Sequence, residues 1–171
     1  MLVVRIVGDS KSLMIGCDDM SRKGKRGRKP KCVYATYTPE EIFSVVRQNA
    51  PMLLPLPNGE TFVYLRNNSK NKRKRLVCFM QSTCCVACGK KGEVFRLEEV
   101  RGQQIAPSLV LYAADGTEMT MDHILPQAKG GSHRSENLQT MCADCNHQKG
   151  SKITSQTIFQ ILQAQRLVEN G

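Results

Sequence analysis

Two cysteine pairs of the same spacing constrain this chain more than any other feature. Cys85-Val86-Ala87-Cys88 is followed by Gly89, and Cys142-Ala143-Asp144-Cys145 comes well downstream. Thiols three residues apart on a tight turn converge on one point. Two such pairs supply four thiolates, the set that closes a tetrahedral zinc site with no position left for substrate. The spacer between Cys88 and Cys142 is far longer than in a compact finger, so the zinc joins the ends of an inserted segment rather than folding a mini-domain. Cys84 is a neighbour, but only Cys85 gives the two-residue spacing. Cys17, Cys32 and Cys78 have no partner pattern and read as ordinary thiols.

The reading of cysteines as ligands depends on compartment. The first residues, MLVVRIVGDSKSLMIG, are apolar but carry Arg5, Asp9 and Lys11. They lack a basic start followed by an unbroken apolar stretch, so they do not read as a signal peptide. No apolar run approaches the roughly 18 residues of a membrane span. The expectation is a cytoplasmic, reducing environment, where eight cysteines serve as metal ligands or free thiols rather than disulfides.

Charge points to the partner. With 25 Lys+Arg against 15 Asp+Glu the net charge is +10, which suits an anionic macromolecule, nucleic acid first. Seven of the ten residues from Arg22 to Lys31 are basic, interrupted by Gly24, Gly27 and Pro30. Such a segment builds no core and is expected to be extended. Within it Arg26-Gly27-Arg28 is slim enough to enter a narrow minor groove, although Lys29 separates the second arginine from Pro30. A second run, Lys70 to Arg75, has five charges in six residues. Its bland reading is a solvated loop; its place just before the first cysteine pair suits Lys72, Arg73, Lys74 and Arg75 to contact phosphates.

At 171 residues the chain holds one ordinary domain plus an appendage. We divide it into an N-terminal basic region, 1–75, and a second domain, 76–171. The first opens with a strand over residues 2–7. Thr38, Pro39, Glu40 and Glu41 then form a helix start, with Thr38 as cap and Pro39 in the first turn; Ile42, Val45 and Val46 share its inner face. Asn58-Gly59 marks a hairpin. Further on, residues 94–98 and 108–113 read as strands, and Asp115-Gly116 turns the chain toward another at Met119 to His123. Near the end Ile158, Ile161, Leu162 and Leu167 have near-helical spacing, suiting a helix that packs on the core.

Residues 119–152 concentrate the chemistry. All three histidines of the chain lie there. Asp122 and His123 are adjacent at a strand end and point to opposite faces, so they can do different work. The carboxylate suits Mg2+ or Mn2+, and a neutral imidazole takes a proton from water near pH 7. Lys129-Gly130-Gly131 is a turn, and Asn146-His147-Gln148-Lys149 reads as a short helix ended by Gly150. Alone, the Asp-His pair would be an ordinary surface turn.

Together these pieces resemble the HNH endonuclease family. Asp122-His123, Pro126, Lys129-Gly130-Gly131, Glu136-Asn137-Leu138 and Cys142-x-x-Cys145-Asn146-x-x-Lys149-Gly150 occur in the family's order. The arrangement is similar to small phage-borne members, and the first 75 residues lie outside it. The resemblance implies an α+β fold: a zinc-stapled ββα-metal core (His-Me finger) with a small N-terminal α/β appendage and a basic segment. It implies that His123 is the general base and that Asn137 steadies it across the hairpin. Asp122 and Asn146 become ligands of one catalytic Mg2+ or Mn2+, and Cys85, Cys88, Cys142 and Cys145 hold a structural Zn2+. His147 competes with Asn146 for the ligand position but stands one residue late. Lys129 and Lys149 join Arg26, Arg28 and the second basic run as DNA contacts, Lys149 either on a phosphate or on the site's own backbone. His133 reads as a surface residue. The implied activity is hydrolysis of double-stranded DNA to 5′-phosphate and 3′-hydroxyl ends, by a phage or mobile-element (homing-type) nuclease. A restriction-type or packaging-associated nuclease, or a zinc-ribbon protein that binds DNA without cutting it, are the alternatives.

Overall fold

The computed structural model describes residues 31–47, 51–65, 70–100 and 107–155. The predicted strand at 2–7, the basic arm with Arg26 and Arg28, Cys17 and most of the predicted C-terminal helix lie outside these residues. The chain forms two compact units: residues 1–73 with 93–112, and residues 74–92 with 113–171. Residues 93–112, placed by sequence inside the second domain, thus group with the N-terminal unit.

The first unit is built on a three-stranded sheet in the order β1 (Lys31–Tyr37), β4 (Gly92–Val100) and β5 (Ser108–Ala113). β1 and β4 are antiparallel, with a bulge between Val33 and Ala35. β1 begins at Lys31, where the basic segment ends. Helix α1 (Pro39–Arg47) starts as its residues dictate. Glu41 N–H donates to Thr38 Oγ1 at 3.2 Å and Thr38 N–H donates to Glu41 Oε2 at 2.7 Å, a reciprocal cap that satisfies two end donors. Ile42 and Val46 are buried from it. The Asn58-Gly59 hairpin forms between β2 (Met52–Pro55) and β3 (Thr61–Leu65). Phe95, Leu97, Leu109 and Leu111 fill the sheet's core positions.

The second unit carries helix α2 (Lys70–Gln81, its first turn in the other unit), the antiparallel hairpin of β6 (Met119–His123) and β7 (Leu138–Cys142), and helix α3 (Ala143–Lys149). The basic run at 70–75 is not a solvated loop but the first half of α2. Lys and Arg are good helix formers, and LVCFM behind them supplies the apolar residues: Leu76, Cys78 and Phe79 are buried. β7 is tied to the end of this helix, since Thr140 Oγ1 donates to the Ser82 carbonyl at 2.6 Å. Val86 N–H donates to the Thr140 carbonyl at 3.0 Å, fastening the first cysteine turn to the same strand. The core here is Leu76, Phe79, Met119, Leu138 and Met141. This is the expected mixed α+β architecture, with a β-hairpin and helix at its centre. Among the described residues no helix is long and apolar enough to cross a membrane.

Candidate metal and catalytic site

Cys85, Cys88, Cys142 and Cys145 bring their Sγ atoms within 4.8 Å of one another. Cys85, not Cys84, is the member of the cluster, as the spacing requires. The first pair sits on a turn closed by Gly89 N–H to the Cys85 carbonyl at 2.8 Å, with Gly89 at φ 74°. The second pair straddles the start of α3, where Cys142 Sγ accepts from Cys145 N–H at 3.5 Å. Cys88 and Cys142 sulfurs stand 3.8 Å apart. A tetrahedron with Zn–S bonds of about 2.3 Å has edges of about 3.8 Å, so the cluster fits a zinc ion. Protonation fits as well. Burial raises the Cys85 thiol, but N–H groups of Cys142, Cys88 and Ala87 bring it down to about 7. The Cys145 thiol is driven well above its ordinary value by its hydrogen bond to Cys142 and by burial. Four crowded sulfurs cannot all ionise unaided; a divalent cation supplies the missing counter-charge.

The hairpin and α3 set out the second group of residues. Register pairs Asp122 with Gln139 and His123 with Leu138. On the side of the hairpin facing α3, Asn146 Nδ2 donates to Thr120 Oγ1 at 2.9 Å. Thr120 Oγ1 in turn donates to the Met141 carbonyl at 2.9 Å. Lys149, one turn after Asn146, reaches Asp122, two residues after Thr120, at 2.9 Å. Asn146 and Asp122 therefore lie on the same side of the hairpin, since residues two apart on a strand share a face. The Asn146 amide nitrogen is committed to Thr120, which leaves its oxygen as the atom free to ligate. His147 is exposed and is not among these partners.

His123 projects to the other side. Its Nε2 lies 3.2 Å from Nδ1 of His133, with the two rings edge to face at 4.9 Å. Burial, then the charge of His133, holds His123 below the ordinary histidine value, with Asp122 pulling the other way. An imidazole neutral at pH 7 is what a proton acceptor needs. The loop that follows is closed by Asn137. Leu125 N–H donates to Asn137 Oδ1 at 2.8 Å, and Asn137 Nδ2 donates to the carbonyls of Leu125 and Ser132 at 3.0 and 2.7 Å. Gly131 is required there: a Cβ on it would meet the Leu125 carbonyl oxygen at 1.7 Å.

The predicted basic contacts divide. Arg26 and Arg28 lie outside the described residues. Lys72 and Arg73 are partly exposed on the first turn of α2, with the Lys72 ammonium 4.9 Å above the Tyr64 ring. Lys74 is exposed and donates to the His133 carbonyl at 3.2 Å, and Arg75 is half-buried. Lys129 is exposed on the turn after β6. Lys149 is only 6% exposed; of the two roles open to it, it holds the site's backbone, donating to the His123 carbonyl at 2.7 Å.

Three residues escaped the sequence reading. His133 is exposed, but its ring lies on His123 and it is also held by the Gln127 amide. Nothing in the local sequence announces this, because the contact depends on the loop path. Gln139 and Thr120 were legible in principle: one is the cross-strand partner of Asp122 and the other its neighbour on the same face, once the hairpin register is known. An open groove of about 600 Å³, lined by Lys74, Val77, Ser132, His133, Arg134 and Leu138 among others, lies beside His133.

Residues 113–162 match the family model described as HNH endonuclease. The matched segment contains β6, β7, α3, the second cysteine pair and every residue of the Asp122–His123 group. No curated protein and no solved structure matches the chain.

Proposed function

We propose that this HNH endonuclease domain cuts double-stranded DNA by direct hydrolysis at a single divalent cation. The observation that supports the reading is the layout at the end of β6: Lys149 ties the Asp122 carboxylate to the helix that carries Asn146, and the His123 ring lies against His133. Asp122 and Asn146 would hold the cation, Mg2+ or Mn2+, through one carboxylate oxygen and the amide oxygen. Such an ion, when bound, offsets charge that builds on the phosphate in the transition state. His123 takes a proton from water as the water oxygen attacks phosphorus. The bond from phosphorus to the 3′ oxygen breaks, leaving a 5′-phosphate and a 3′-oxygen that solvent protonates. Asn137 steadies the peptide two residues past His123. The four-cysteine site would hold Zn2+ in a purely structural role, fixing α3 against the turn at 85–89.

Lys72, Arg73, Lys74, Arg75 and Lys129 would lie along the DNA backbone, with the arm at Arg26 and Arg28 reaching further. We retain the functional division into a DNA-contacting region over 1–75 and a nuclease over 76–171, acting in the cytoplasm. A phage or mobile-element role rests on the sequence resemblance. End analysis of the products tests the chemistry. Ligation without prior phosphorylation, together with extension by a polymerase from the cut 3′ end, is expected; 3′-phosphate ends would exclude water attack with 3′-oxygen departure.

A further inference from the structure

Asp122 is 8% exposed, and Gln139 and Lys149 meet on the same carboxylate oxygen. Gln139 Nε2 donates to Oδ2 at 2.7 Å and the Lys149 ammonium to the same Oδ2 at 2.9 Å. That ammonium also donates to the carbonyl of His123 at 2.7 Å. One buried cation thus touches the proposed metal ligand and the backbone of the proposed base.

We propose that Lys149 is a positioning residue that locks Oδ2 of Asp122, leaves Oδ1 to the divalent cation, and by its own charge keeps that cation weakly held. The inference rests on the reading of Asp122 as a metal ligand and extends it. Three steps lead to it. First, a carboxylate with two donors on one oxygen is fixed in orientation before any ion arrives and offers the other oxygen as a single ligand atom. Second, Asp122 and Lys149 together carry no net charge, and the companion ligand, Asn146, is neutral. An incoming cation therefore meets a site with no net negative charge, beside an ammonium that repels it. In a partly buried site, removing one like charge at such range shifts affinity by roughly tenfold. Third, the bond from Lys149 to the His123 carbonyl couples the two halves of the site, so its loss slows turnover even where the ion binds better. A lysine that only supported the fold would do the reverse: its removal would loosen the carboxylate and weaken both.

The test uses the full-length, zinc-loaded protein without DNA. Free Mn2+ is titrated and read by electron paramagnetic resonance in wild type, Lys149→Met, Lys149→Gln and Lys149→Arg, with zinc stoichiometry and circular dichroism as controls on folding. The two neutral variants should bind Mn2+ roughly tenfold more tightly than wild type, and Lys149→Arg should stay within about threefold of it. At saturating Mn2+ the neutral variants should cleave DNA at least about tenfold more slowly. If Lys149→Met does not fold, Lys149→Gln, which keeps a donor, decides. Equal or weaker Mn2+ binding by a folded neutral variant overturns the proposal, as does failure of both neutral variants to fold. Wild type that binds no Mn2+ defeats the metal-ligand reading of Asp122 as well; wild type that binds it with an affinity indifferent to Lys149 defeats only the present inference.

Discussion

Replacing Asn137 by aspartate should damage the protein more than replacing it by alanine. Asn137 is half-buried and spans its loop with three side-chain hydrogen bonds, one accepted from Leu125 N–H and two donated to the carbonyls of Leu125 and Ser132. Asn137→Ala deletes all three. Each is worth about 0.5–1.5 kcal/mol net, and the freed groups lie near enough to the surface to recover some water, so the loss should be about 2–3 kcal/mol. Asn137→Asp keeps the shape and the oxygen that accepts from Leu125. Its second oxygen, however, now faces two carbonyl oxygens from the positions where Nδ2 donated at 3.0 and 2.7 Å. Three acceptors with no proton between them repel, and an unpaired charged acceptor adds about 1–3 kcal/mol to the lost bonds. The expected order of stability is therefore wild type, then alanine, then aspartate, with at least about 1 kcal/mol between the variants. Urea denaturation of zinc-loaded protein, followed by far-ultraviolet circular dichroism, measures it. Cleavage should fall in the same order, because Leu125 lies two residues from His123. An aspartate variant as stable as wild type, or more stable than the alanine variant, would refute the donor assignment on which this rests.

Other expectations concern different parts of the site. Cys145→Ser should release zinc, lower the zinc content measured by atomic emission from one per chain to a small fraction, and abolish cleavage, since structural zinc contributes on the order of 10 kcal/mol to folding in small zinc sites. Gly131→Ala should cost about 1–3 kcal/mol in the same urea assay, because its Cβ overlaps the Leu125 carbonyl. Lys74→Ala should change stability by no more than about 0.5 kcal/mol. It should nevertheless weaken DNA binding and reduce the slope of affinity against salt by about one, as loss of a single phosphate contact requires.

The parts of this molecule that were readable in advance are those whose causes are local. The cap at Thr38 and Glu41, the turn at Asn58-Gly59, the preference for Cys85 over Cys84 and the helix ended by Gly150 each follow from neighbours in sequence, and each forms. The cysteine pairs bridge a long separation, but metal chemistry makes that contact legible without a fold. The basic run at 70–75 has the charge density of a solvated segment, but the apolar residues just behind it decide the helix. β1 was hidden by the basic segment it follows. At the site, the family resemblance named Asp122, His123 and Asn146, with Asn137 and Lys149 as supports, but not the contacts that hold them. Gln139 depends on hairpin register, Lys149 on the face α3 turns inward, and His133 on the path of the 124–137 loop. Those are products of tertiary packing, which no single stretch encodes.

The central claim is that the group around Asp122 and His123 hydrolyses DNA with His123 as the proton acceptor. Supercoiled plasmid incubated with zinc-loaded protein and Mg2+ or Mn2+ measures it directly, with wild type and His123→Ala compared at equal DNA occupancy. Wild type should nick or linearise the plasmid only when the divalent cation is present, and His123→Ala should bind equally well while cutting at least about a hundredfold more slowly. Tight binding by wild type with no cleavage under either metal, or undiminished cleavage by His123→Ala, would contradict it.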